Sequence, residues 1–266
     1  MKTSTKIWVI IAVVLLVAGF SLFAAAVAIS GNDINKLSTE KMQTMIFEFD
    51  EEISSIKIDE SVADIIIEPW DGSGCKVECY EDEKIPHSAG VIDGVLSIDS
   101  KDNRKWYEKI VNISFESTSI TVYIPKKEYE RIEIDCSTGD VSVKSIDFVE
   151  IDVSFSTGKL VVENVHCTRI YSKGSTGNVH LSDVVATEEI NIDRSTGDVR
   201  FDACDAGKIT VDLSTGDVKG TLLTGKEFQV NTSTGDVNVP PNEDGGICQI
   251  NTSTGDIDIK VKNNNK

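Results

Sequence analysis

The chain has 266 residues, 40% hydrophobic and 26% charged, a globular composition that excludes a disordered or collagen-like polymer. Its formal net charge is −18, from 44 acidic and 26 basic residues. A surface of that sign repels nucleic acid and anionic lipid head groups and favours cations or basic partners, so no nucleic-acid partner is expected.

The first element is apolar. Ile7 to Ile29, "IWVIIAVVLLVAGFSLFAAAVAI", carries no charge. At ~1.5 Å per residue its 23 residues cover ~34 Å, enough to cross a ~30 Å hydrocarbon core. Lys2 and Lys6 precede it, and "AVA" at Ala26–Ala28 resembles a cleavage site. An uncleaved signal-anchor and a cleaved signal peptide both remain open; the length favours the anchor. Lysines near its two ends are balanced, Lys2 and Lys6 against Lys36 and Lys41, so they barely decide orientation. The basic start running straight into the apolar segment has the form of an export signal. The expected layout is a cytoplasmic tail at 1–6, a transmembrane helix at 7–29 and a linker at 30–43. Irregular coils at 44–130, regular repeats at 131–260 and a polar tail at 261–266 then lie outside the membrane.

The repeats carry the fold. Ser-Thr-Gly begins at Ser137, Ser156, Ser175, Ser195, Ser214, Ser233 and Ser253, a period of 19 or 20 residues. Apolar residues stand five and three before the Ser in every copy but one, as in Ile132/Ile134 and Ile190/Ile192, the exception being Ile170/Ser172. Others stand four and six after it, as in Val141/Val143 and Leu160/Val162. Alternation on both sides of one corner reads as strand, corner, strand, and the β-branched slots agree. A third apolar pair follows at Ile146/Phe148, Val165/Cys167, Val184/Ala186 and Cys204/Ala206. Stacking each copy on the previous one pairs equivalent strands in parallel, ~4.8 Å apart. The predicted fold is an all-β parallel solenoid of 19–20-residue coils preceded by one transmembrane helix. Gly at the corner permits positive φ, while Ser, Thr and Asp bond the turning backbone and allow hydroxyl ladders. "SIKIDESVADIIIEP" repeats the grammar in eroded form, with Ile56/Ile58 before Ser61 and Ile65/Ile67 after it. Strands resume at "NISFE" and "ITVYIP" after an interruption from Asp71 to Lys109.

Little chemistry is written on this frame. The six cysteines show no CxxC, and three fall in apolar slots, so they read as core filler. His87, His166 and His180 lack metal-ligand spacing, and no catalytic residue is assigned. "RKWYEK" around Trp106 reads as a loop over a small apolar cluster. Just after the corner stand Asp198, Asp217, Asp236 and Asp256. Stacked ~4.8 Å apart they repel by roughly 0.9 kcal/mol per pair in water, which invites a cation such as Ca²⁺. The competing reading is that each Asp caps its own turn. No other cofactor is expected.

An N-terminal membrane segment, the "ITVYIP" lead-in and seven "STG" corners together resemble a bacterial family. These are membrane-anchored β-strand-repeat proteins, called putative adhesins and classed as a domain of unknown function. The resemblance spans most of 44–260 and implies a parallel β-solenoid at the cell envelope, with no site residues to transfer. The expected function is a non-catalytic, membrane-tethered binding or scaffold module, contacting cell-wall polymer or another envelope protein. The alternative is an accessory sensor in envelope-stress signalling that acts through a membrane partner. A polysaccharide-acting enzyme ranks last, because no acid/base pair stands out from the ladder.

Overall fold

The computed structural model describes residues 3–29, 31, 41–105 and 117–262. The Trp106 side of the loop, the "NISFE" segment, most of the linker and the last four residues lie outside these. Helix α1 (Thr3–Ile29) exposes its large apolar side chains on every side. It is long and apolar enough to cross a membrane, a test that a signal sequence also passes.

The described strands divide into an irregular and a regular part. The first holds β1 (Met42–Phe49), β2 (Ser55–Val62), β3 (Asp64–Trp70), β4 (Cys75–Asp82), β5 (His87–Ile92), β6 (Val95–Ser100) and β7 (Ser119–Pro125). The regular coils begin with β8 (Glu128–Thr138), β9 (Val141–Lys144), β10 (Asp147–Thr157) and β11 (Leu160–Thr176). They continue with β12 (Val179–Thr196), β13 (Val199–Thr215), β14 (Val218–Leu222), β15 (Glu227–Thr234), β16 (Val237–Asn238), β17 (Ile247–Thr254) and β18 (Ile257–Val261).

Two long sheet faces meet along the Ser-Thr-Gly corner. The slot five residues before the corner forms one in-register column: Leu96, Ile56, Ile132, Ile151, Ile170, Ile190, Ile209, Cys248, Phe228. The slot four residues after it forms another: Ile120, Ile65, Val141, Leu160, Val179, Val199, Val218, Ile257, Val237. Apart from Val237 at one open end, both columns are buried. Each coil seals the apolar face of its neighbours, so no single coil needs a core of its own. The third apolar pair closes the interior through β13. It is reached by a second corner at Ser145, Asn164, Asp183 and Ala203, all with φ between 51 and 56°. Asn and Asp tolerate this left-handed geometry, which no motif announced.

The Ser-Thr-Gly corner needs glycine for two reasons. Gly139, Gly158, Gly177, Gly197 and Gly216 have φ from 135 to 153°. A Cβ on Gly158 would also lie 1.9 Å from the carbonyl oxygen of Gly139, and one on Gly177 1.7 Å from that of Gly158. The eroded copy stacks as expected: Gly139 rests on the Ala63 carbonyl, and Val62 pairs with Thr138.

Stacking order departs from chain order at both ends. β6 and β7 lie outside β2 and β3, although they follow them in the chain. At the far end β17–β18 is inserted between β13–β14 and β15–β16, so the Gly255 corner rests on Gly216 and Gly235 rests on Gly255. Strict stacking of each copy on its predecessor is thus corrected. The reason lies in "VPP". β18 pairs with all five residues of β14, and the Lys262 amide extends the ladder to the Leu222 carbonyl. In β15–β16 the equivalent places fall on Pro240 and Pro241, which have no N–H to donate, so that coil is confined to the edge.

Candidate functional site

The corner line is the most regular outer feature of the molecule. Residues after the corner glycines, and after Ala63 in the eroded copy, occur in the spatial order Asp64, Asp140, Lys159, Asn178, Asp198, Asp217, Asp256, Asp236. Oδ1 of Asp64, Asp140, Asn178, Asp198, Asp217 and Asp256 accepts the backbone N–H of the residue stacked on it. Asp140 donates to Asp64 (2.9 Å), Lys159 to Asp140 (2.8 Å) and Asp198 to Asn178 (2.9 Å). Asp217 donates to Asp198 (2.9 Å), Asp256 to Asp217 (2.8 Å) and Asp236 to Asp256 (3.0 Å). These aspartates cap the next coil rather than their own turn. The glycine amides reinforce the same line by donating to the Thr carbonyl of the adjoining coil, as Gly158 does to Thr176 (3.0 Å). No hydroxyl-to-hydroxyl ladder forms there among the described residues.

All four proposed cation ligands are brought together as immediate neighbours. Each of Asp198, Asp217 and Asp256 has one oxygen committed to an amide. Lys219 Nζ sits 2.6 Å from Asp217 Oδ2 and 3.9 Å from Asp256 Oδ2. The ammonium and the Asp256 amide hold the Asp217 carboxyl below the usual carboxylate range. The chain thus supplies a cation of its own to the acidic run. Among the described residues, no group of three or more His, Cys, Asp or Glu is arranged to hold a metal ion.

The corner line stops at Ala63: 18 residues, 101–118, separate β6 from β7, and no Ser-Thr-Gly triplet occurs among them. Where a further corner would stack there is a cavity of about 500 Å³, lined by Glu60, Val62, Ala63, His87, Arg104 and Thr118 among others. Beside it is the least expected feature of the fold, a buried polar cluster. His87 Nδ1 lies 2.8 Å from Glu81 Oε2, and the His87 amide donates to the same oxygen at 2.6 Å. Nε2 is 3.1 Å from Glu60 Oε2, a contact not aligned as a hydrogen bond. Glu60 Oε1 accepts Ser100 Oγ (2.7 Å) and the Ser61 amide (2.8 Å), and Gln43 Nε2 donates to Glu81 Oε1 (2.9 Å).

Burial alone would lower the His87 pKa, but the two carboxylates outweigh it and hold it above its ordinary value. Burial alone would raise Glu60, yet its contacts with His87, Ser100 and the Ser61 amide hold it below its ordinary value. Both ring nitrogens face carboxylates, so the imidazole has no free nitrogen to offer a substrate. The cluster instead pins β5 to β2 and β4. Its members are scattered over residues 43–100, so neither spacing nor periodicity marked them.

A second buried charge explains a flaw in the repeat. Ser172 fills a slot that is Ile or Val in most other coils, and it accepts Arg194 Nη2 at 2.6 Å. The guanidinium occupies space that a side chain at Gly174 would fill and stacks on Phe155 at 4.2 Å. Burial brings the Arg194 pKa down to about 10. His180 lies elsewhere, 2.8 Å from Asp202 Oδ2, and His166 is 3.6 Å from Asp147 Oδ1. All six cysteines are free and buried. Burial pushes the thiols of Cys75, Cys79, Cys167, Cys204 and Cys248 up to about 12, which suits packing rather than reactivity.

No curated protein matches the chain. Among solved structures, a putative cell adhesion protein from Clostridium sporogenes is 14% identical, with a TM-score of 0.42, over 84% of this chain and 100% of that one. A putative adhesin from Bacteroides fragilis is 15% identical, with a TM-score of 0.45, over 84% and 99%. A putative lipid binding protein from Parabacteroides distasonis is 14% identical, with a TM-score of 0.46, over 84% and 98%. The family model described as Toastrack DUF4097 matches residues 53–266, the whole stack from just before its first coil, and the chain belongs to that family.

Proposed function

We propose that this protein is a membrane-tethered, extracytoplasmic binding module of the cell envelope that performs no catalysis. The observation that carries this reading is an apolar helix of membrane-spanning length preceding a stiff solenoid with an in-register outer corner. Such a surface offers backbone and side-chain groups at a constant ~4.8 Å repeat, suited to an extended partner such as a cell-wall polymer or another envelope protein. The buried imidazole with both nitrogens facing carboxylates and the high-pKa thiols offer no activated nucleophile or accessible base, which supports binding over chemistry.

The compartment is tested with a membrane-impermeant maleimide on intact cells producing the Ser175→Cys variant, since the native thiols are buried. Labelling without lysis is expected. Labelling that appears once the cells are opened, and not before, removes the extracytoplasmic reading. Pull-down on purified cell wall, with and without Ca²⁺, then tests binding and any part played by Asp198, Asp217, Asp256 and Asp236. Release of reducing sugar from that wall overturns the non-catalytic reading.

A further inference from the structure

The inverted order at the C-terminal end creates a slot with two walls. One wall is β13–β14, the other β15–β16, and β17–β18 fills the space between them in register with both. From the structure we infer that this slot accepts residues 247–262 of a second copy of the chain, so that two copies pair by exchanging this segment.

The requirements of the slot define its occupant. The Gly216 carbonyl oxygen lies 1.9 Å from where a Cβ at the incoming corner would stand, so that corner residue is glycine. Asp217 Oδ1 takes the N–H of the next residue, and that residue's own carboxylate takes the Asp236 N–H. The five residues that follow pair with Val218–Leu222, the alternate N–H groups through Lys262 facing β14, and the inward places take Cys248, Ile250, Thr252, Ile257 and Ile259, all buried. The neighbouring "NTSTGDVNVPP" meets the corner requirement and fails the strand requirement at Pro240 and Pro241. The segment that fits is "ICQINTSTGDIDIKVK". Its contacts are with other parts of the chain, reached through the single connection 239–246, so a second copy makes every one of them equally well.

A latch governs the exchange. Lys226 is buried at the base of the connection. Its Nζ donates to the carbonyls of Ala206 (2.7 Å) and Gly245 and to Thr224 Oγ1 (2.8 Å), and it pairs with Asp205 Oδ1 at 2.5 Å. It ties the connection down in the self-filled form, and removing it frees the hinge.

The test uses full-length protein in detergent. One batch carries Thr215→Cys and another Thr254→Cys. These positions are exposed register partners across the slot, at a separation a disulfide spans. The batches are mixed, incubated and oxidised. A reducible heterodimer is expected, in larger yield when both batches also carry Lys226→Met. The control pair, Thr157→Cys with Thr176→Cys, has the same register in coils that do not exchange, and gives collision products alone. The double variant Thr215→Cys/Thr254→Cys closes its disulfide within one copy, which shows that the positions are competent. Equal yields from test and control pairs overturn the inference. So does absence of heterodimer in the Lys226→Met background, or failure of the double variant to close.

Discussion

At the N-terminal end of the stack the chain folds back over itself. β4 runs antiparallel to β7, β1 to β4 and β5 to β6, so the parallel core is roofed by strands of the opposite sense. At the other end β15–β16 is left bare, with Val237 47% exposed and its strand cut short by two prolines. The first solution covers an edge and uses a buried polar cluster, His87 between Glu60 and Glu81, to pin the cover. The second leaves the edge in water and makes it a poor template for further pairing. A solenoid whose middle is set by one repeated corner is thus closed by two unrelated devices, and each should fail in its own way.

The largest effect is expected at the corner itself, where the two ends also differ. Gly158→Ala and Gly177→Ala drive a Cβ into a backbone oxygen at a φ that L-residues avoid. A cost on the order of 4–5 kcal/mol, or a Tm lower by about 10 °C or more, is expected. Ala63 holds the equivalent place at the N-terminal end, where no further corner stacks beneath it among the described residues, so Ala63→Gly should change Tm by a few degrees at most. If Gly158→Ala melts like the parent, the stacked-corner account fails.

His87→Leu comes next, since it leaves the Glu60 and Glu81 carboxyls buried without their imidazole partner; about 3–5 kcal/mol is expected. Hydrogen exchange should show the loss in β4, β5 and β6, with protection in β11–β13 retained. The pH dependence has a defined sign. The folded His87 pKa is raised, so its contribution is complete below about pH 6.5, the unfolded value, and is lost as pH rises through the folded value. Glu60 is depressed, so its contribution is present above the ordinary carboxyl range and is lost as pH falls through its folded value. Alkaline loosening confined to the N-terminal end, absent in His87→Leu, is the expected signature. A uniform response along the stack contradicts it.

Asp217→Ala removes the acceptor for the Asp256 amide and should cost about 1 kcal/mol in chemical denaturation. Asp217→Asn keeps an oxygen there and should cost a few tenths of that. Equal losses from the two would mean that charge, rather than the ladder bond, matters at this place. Pro240→Thr/Pro241→Val is expected to change stability by no more than about 1 kcal/mol in either direction. Its consequence is order: with N–H groups restored, 227–241 can lie directly on β13–β14. A Thr215→Cys/Thr234→Cys pair should then close a disulfide in that background and not in the parent.

Much of the fold was legible because parallel stacking repeats the same demand every nineteen or twenty residues. The apolar slots, the glycine corner, the thiols as filler and the eroded copy at Ile56–Ile67 all follow from that repetition. Ser172 looked like a lapse in the pattern, and its meaning required Arg194, twenty-two positions away. The polar cluster left no trace, since Gln43, Glu60, Glu81, His87 and Ser100 share no spacing and meet through the fold-back of β4 and β5. The Asp ladder was visible as a column, but its bonding direction was not, because own-turn capping and next-coil capping require the same residue.

By itself the sequence determined the unit: a strand, a corner that only glycine can turn, and a strand, with one apolar face that must be covered by another copy. Which copy covers which was settled in three dimensions. Identical corners accept one another in any order, and the choice falls to features outside the motif: the prolines after β16, the reach of β18 along β14, and the fold-back of β4 and β5 that precedes β6.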